Sequence, residues 1–202
     1  MITSCVRAFA IAFLALPAVA LAQQSAPTSQ SPSQTPVKTP TKTMLLSEQL
    51  VRAFQSIQGD LAATAEKMPA EHYSFRPVPE IKPFGQLVAH VALAQFRDCA
   101  MLKGEPNPKK DDKEDITWSK ADAVSLLKAS SDYCAAPVSA LNTEPMMTEL
   151  IKFEQMQVAK GLIPTQLIVH AMEMYGTMSV YLRLKGLVPP MTEKQNQMKK
   201  SQ

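Results

Sequence analysis

Apolar residues at Leu46, Leu50, Phe54, Ile57, Leu61 and Met68 return at three-, four- and seven-residue steps, which lays one apolar stripe along a single side of an α-helix. Such a stripe has to be covered, so the fold depends on which other stripes the chain carries. The first helix ends in the stretch from Met68 to Pro83, where Pro77, Pro79 and Pro83 deny the backbone a helical ladder. A second helix is expected from about Phe84 to Lys103, with Phe84, Leu87, Val88, Val91 and Gln95 on one side and a stop at Gly104. After a charged loop, Ser119 and Asp122 resemble a capping box, and Val124, Leu127, Cys134, Val138 and Leu141 carry the third helix onward. The Met-rich segment from Asn142 to Leu162 is less periodic and has room for a short helix. Pro164 introduces the fourth helix, in which Leu167, His170, Met174, Met178 and Tyr181 share a face, and Gly186 with Pro189 and Pro190 closes it. Strand-like alternation is scarce throughout, so the expected fold is all-α, a four-helix bundle.

The segment ahead of the first stripe is of another kind. Residues 1–22 carry one positive charge, Arg7, then an apolar run that ends in Ala20, Leu21 and Ala22, the small-x-small pattern of a signal peptidase site. Cleavage after Ala22 is expected, which removes Cys5 and makes the protein an exported one, periplasmic or secreted. The run falls short of the roughly 20 residues a membrane span needs, and no second such run follows, so no transmembrane segment is expected after cleavage. Residues 23–43 are rich in Pro, Ser, Thr and Gln and have no aromatic residue; too little apolar area is available to offset ordering, and a disordered linker is expected. One bundle domain then spans 44–192, followed by a flexible tail at 193–202. The net charge of +3 is spread out, and its densest block, from Lys109 to Asp115, alternates in sign after the first pair. Nucleic-acid binding wants a stripe of one sign and is not expected.

Export bears on the two remaining cysteines, because an oxidising compartment favours pairing. Cys99 and Cys134 allow a single intramolecular bridge if their helices lie side by side. The other reading is two small buried apolar residues. His90 in the second helix and His170 in the fourth each lie on or beside the inward stripe, so two imidazoles can face one interior and hold a metal. Glu173 and Met174 follow His170 by three and four residues and are its neighbours on the helix surface. Two histidines and one carboxylate are ligand types suited to zinc. Asp98 and Tyr175 can orient the imidazoles, or serve as a surface ion pair and a packing residue; His72 falls in the Pro-rich loop and is expected to be exposed.

The run from Phe84 to His90, together with His170, Glu173, Tyr175, Gly176 and the stretch from Tyr181 to Pro190, resembles the DinB family, and its exported branch in particular. The resemblance covers nearly the whole mature domain. It implies a four-helix bundle in an up-up-down-down layout, in which many members carry a divalent metal, zinc or nickel, on three histidines. Two of these match His90 and His170. The third falls four residues after His170, where this chain has Met174, and a thioether is a poor ligand for zinc or nickel. Glu173 can stand in as the third ligand, although it lies about 100° round the helix from the position wanted.

Two classes of function follow. One is an exported bundle that binds a small molecule or partner protein without catalysis, or binds metal only weakly; the loss of the third histidine favours it. The other is a metal-dependent enzyme of the thiol-transferase or hydrolase type found among relatives, using His90 and His170. The resemblance also implies a possible homodimer, since relatives often pair through their bundles.

Overall fold

The structure is a computed structural model, and it describes residues 44–153 and 155–201. The expected signal peptide at 1–22 and linker at 23–43 lie outside the described residues. Four long helices, α1 (Leu46–Lys67), α2 (Phe84–Lys103), α3 (Lys120–Ala140) and α5 (Leu162–Leu184), form a bundle. A short α4 (Glu144–Thr148) and a hairpin of β1 (Leu150–Phe153) and β2 (Met156–Ala159) fill the connection between α3 and α5. The hairpin is antiparallel, with Leu150 opposite Ala159 and Phe153 opposite Met156. A last helix, α6 (Pro190–Lys200), occupies what the sequence suggested as a flexible tail from 193 onward. Its polar composition hides the anchoring: Lys194 pairs with the buried Asp60 of α1 at 2.6 Å, Glu193 with Lys67, and Pro190 is buried.

The local signals for these elements act through identifiable atoms. Ser119 caps α3 by accepting from the Asp122 N–H at 3.2 Å and donating its own hydroxyl to the Asp122 carboxylate at 2.6 Å, which satisfies one of the orphan donors of the first turn. Gly104 ends α2 at φ 70°, where its N–H returns to the carbonyls of Ala100 and Met101, a left-handed conformation that costs other residues strain.

Contacts along the bundle define its directions. Gly85 of α2 lies against Trp118 just before α3, Gln95 bonds Ser130, and Cys99 sits beside Cys134, so α2 and α3 run parallel. Phe54 near the start of α1 packs in one cluster with Leu102 at the end of α2 and Leu167 near the start of α5, whereas Leu61 and Ala65 pack with Phe84, Met178 and Leu182. α1 and α5 therefore run together, opposite to α2 and α3. The layout is up, down, down, up, and departs from the up-up-down-down order expected from resemblance. Its cause is the link at 104–119, which carries the chain back along α2 before α3 begins. α2 has 20 residues and is about 30 Å long, and an extended link of that size covers roughly 50 Å. This return path turns out to shape the candidate site.

One end of the bundle is closed by aromatic rings. Tyr73 meets Phe84 edge-on at 5.2 Å between centroids, and Phe75 meets Tyr181 at 5.9 Å, contacts worth about 0.5–1.5 kcal/mol each beyond their buried area. Among the described residues no helix is long and apolar enough to cross a membrane.

Candidate functional site: a pair of imidazoles between α2 and α5

α2 and α5 lie antiparallel, and His90 and His170 face each other across their seam. The two Nε2 atoms are 3.0 Å apart, with ring centroids at 4.9 Å and ring planes at 75°. Both rings are half-buried. On its other side His90 Nδ1 lies 2.7 Å from Glu114 Oε2. An ionised carboxylate only accepts, so Nδ1 carries the proton and the lone pair of a neutral His90 is left on Nε2, pointing at His170. Lys82 pairs with the second oxygen of Glu114. Burial alone would raise the Glu114 carboxyl, but hydrogen bonds from Lys82 and His90, with their charges, outweigh it and hold the group below the usual carboxylate range.

Glu114 reaches His90 because the link between α2 and α3 runs back along α2. The Trp118 indole N–H donates to the Glu114 carbonyl at 3.2 Å, and Gln86 of α2 donates to the Ile116 carbonyl at 3.2 Å. Gly85 lets the link close in, since a Cβ there would come within 2.9 Å of the Trp118 carbonyl oxygen. Sequence periodicity could not have found Glu114: it lies 24 residues from His90, in a loop whose charges alternate. Only the direction of α3 reveals that the loop must pass the imidazole.

Burial lowers the His170 imidazole below its ordinary value, and the neighbouring His90 adds to the effect; the charges of Glu173 and Asp98 work the other way and Arg97 with it. Near neutral pH His170 is therefore uncharged, the form that donates a lone pair. The remaining expected residues separate. Glu173 is exposed and forms no hydrogen bond with either ring, acting on His170 through space alone. Met174 is partly buried and packs against the main core cluster. Asp98, 4 % exposed, bonds the Nε of Arg97 at 2.8 Å, and the Tyr175 hydroxyl accepts from the Met191 N–H at 2.8 Å, so neither orients an imidazole. His72, expected to be exposed, sits half-buried on a single 3₁₀ turn, Ala70–His72. Cys99 and Cys134, both fully buried, stand with Cα atoms 5.4 Å apart, within the range a disulfide takes. Among the described residues no group of three or more His, Cys, Asp or Glu side chains is arranged to hold a metal.

Comparison with known proteins places the bundle. The family model of the DinB superfamily matches residues 53–172, well over half of the 202-residue chain. The chain belongs to the DinB superfamily. The matched span contains His90, Glu114 and His170, so the whole imidazole cluster of this DinB-superfamily protein lies inside it. Two solved structures share the fold. A DinB-like protein from Bacillus subtilis aligns with a TM-score of 0.55 at 22% identity, covering 68% of this chain and 92% of that one. A DinB-like protein from Bacillus cereus ATCC 10987 aligns with a TM-score of 0.59 at 14% identity, covering 71% and 95%. No curated protein matches the sequence.

Proposed function

We propose that this DinB-superfamily protein is exported, and that His90 and His170 form a two-imidazole site for one divalent cation, zinc or nickel, of modest affinity, in a domain that binds rather than catalyses. The observation that carries the reading is the convergence of the two Nε2 atoms at 3.0 Å with Glu114 bonded to the far side of His90. A carboxylate behind a ligating imidazole is the usual outer support of a metal site: it fixes the tautomer and raises ligand basicity. The donor set fits the ion with two firm ligands. A catalytic zinc normally has three, and neither exposed Glu173 nor the core-packed thioether of Met174 supplies the third in this arrangement. Bound there, the cation would supply Lewis acidity at the half-open seam. The chain's own residues hold His90 in one tautomer and keep His170 uncharged.

The competing reading, a metal-dependent transferase or hydrolase, draws on the same two histidines and gains if Glu173 swings in on metal binding. Export rests on residues 1–22, and with it goes a bridge between Cys99 and Cys134, which the 5.4 Å Cα separation permits.

The test is a zinc and nickel titration of the mature protein and of His170→Ala. The proposal expects a stoichiometry near one that disappears in the variant. Met174→His should tighten binding by at least about tenfold, since each added ligand of 1.4 kcal/mol changes affinity by that factor. Binding that survives His170→Ala, or is absent from the parent protein, ends the reading.

A further inference from the structure

A recess of about 560 Å³ opens in the seam between α2 and α5, closed on one side by the β1 strand. That volume falls in the range of small-molecule sites. It lies seven residues from His90 on α2, at Arg97, and seven from His170 on α5, at Ile163. Seven residues are two helical turns, about 10 Å, and because the helices are antiparallel the offsets run the same way. The recess therefore shares its groove with the imidazoles, but does not include them.

Its walls divide by chemistry. Met101, Phe153, Leu162 and Ile163 supply hydrocarbon, and Ile163 is 2 % exposed while Leu162 is 44 % exposed. Among the described residues the charged lining groups are Arg97, Lys152 and Asp98. The Asp98 carboxylate accepts from Arg97 Nε, which fixes the guanidinium plane and leaves both Nη groups without a partner among the described residues. Two cations and one anion give a local charge of +1, so one added negative charge balances the recess, whereas a dianion would leave excess negative charge beside buried Asp98. A planar carboxylate also matches the guanidinium fork.

We propose that this recess binds a small amphipathic monocarboxylate, its carboxylate on Arg97 and Lys152 and its hydrocarbon body against Phe153, Leu162 and Ile163. This goes beyond the metal reading and does not depend on it.

Calorimetric titration of the metal-stripped mature protein with octanoate, octanol and octylamine tests the assignment. Octanoate should bind saturably at one site, with octanol and octylamine weaker by about tenfold or more, the usual weight of a charge-assisted contact. Arg97→Gln and Lys152→Gln should each weaken octanoate by a similar factor, and Leu162→Trp should block it by filling the recess. His90→Ala should leave it unchanged, which separates this site from the cation site. Arg97→Gln strands the Asp98 charge; if that variant does not fold, Lys152→Gln and Leu162→Trp decide. Octanoate that fails to saturate, octanol that binds as tightly, or affinity unmoved in both Lys152→Gln and Leu162→Trp overturns the proposal. So does displacement of octanoate by phosphatidylglycerol vesicles through the same residues, which would make the ligand a lipid surface.

Discussion

α2 presents polar groups on two sides, and the bundle treats them differently. Toward α3, Gln95 is 1 % exposed; its amide donates to Gln58 at 2.9 Å and its carbonyl accepts from the Ser130 hydroxyl at 2.8 Å. Cys99 and Cys134 close the same seam one turn further on. Toward α5, His90 and His170 stay half-open, with the Nε2 lone pair of His90 accepting from His170 Nε2–H at 3.0 Å. The difference is one of completion. Buried polar groups cost free energy unless paired, and the α3 seam meets that demand with protein atoms at Gln95 and Ser130, although the Gln58 amide nitrogen beside them has no partner among the described residues. The α5 seam meets it only in part, so it has capacity left for an ion or a ligand.

Perturbing each seam in turn should bring this contrast out. The largest effect belongs to the α3 side: Cys99→Ala with Cys134→Ala should lower the unfolding free energy by about 3–4 kcal/mol if the bridge is closed, read by urea denaturation. Free-thiol counting on the denatured protein gives the companion result, and two free thiols would remove the bridge. On the α5 side, Glu114→Gln should weaken zinc or nickel binding by about 10- to 100-fold with a much smaller change in stability. A loss of stability as large as that from the cysteine pair would make Glu114 a structural residue and erase the distinction between the seams.

The smallest effect is a pH dependence. Because folding lowers the His170 pKa, the folded protein resists a proton that the unfolded chain accepts. Stability of the metal-free protein is thus fully present above the ordinary histidine value of about 6.5 and declines as pH falls below it. The groups acting on His170 are His90, Glu173, Asp98 and Arg97. His170→Gln should flatten that part of the melting-temperature profile; an unchanged slope would assign it to other groups.

Much of this architecture was legible from spacing alone. The stripes on the four long helices, the Ser119 cap and the stop at Gly104 are local properties, and they agree with the structure. The placement of His90 and His170 on inward faces is equally local, which is why the pair could be anticipated. What could not be read has a common cause in tertiary contact. The four-residue strands Leu150–Phe153 and Met156–Ala159 are mostly exposed or half-exposed, so no apolar alternation marks them. α6 is held by Lys194 on Asp60 and by Pro190 rather than by a stripe of its own. Helix direction is absent from periodicity, and with it went the layout and the partnership of Glu114 with His90.

Cys99 and Cys134 bracket residues 100–133, the entire return link included. With the bridge closed, a protease that clips this exposed connection would release no fragment: both halves of the chain would stay joined until a reductant was added. A nicked protein of this kind would run at full mass on a non-reducing gel and fall into two bands on a reducing one. Long, charged and largely exposed, the link is a segment whose cutting the covalent frame would tolerate.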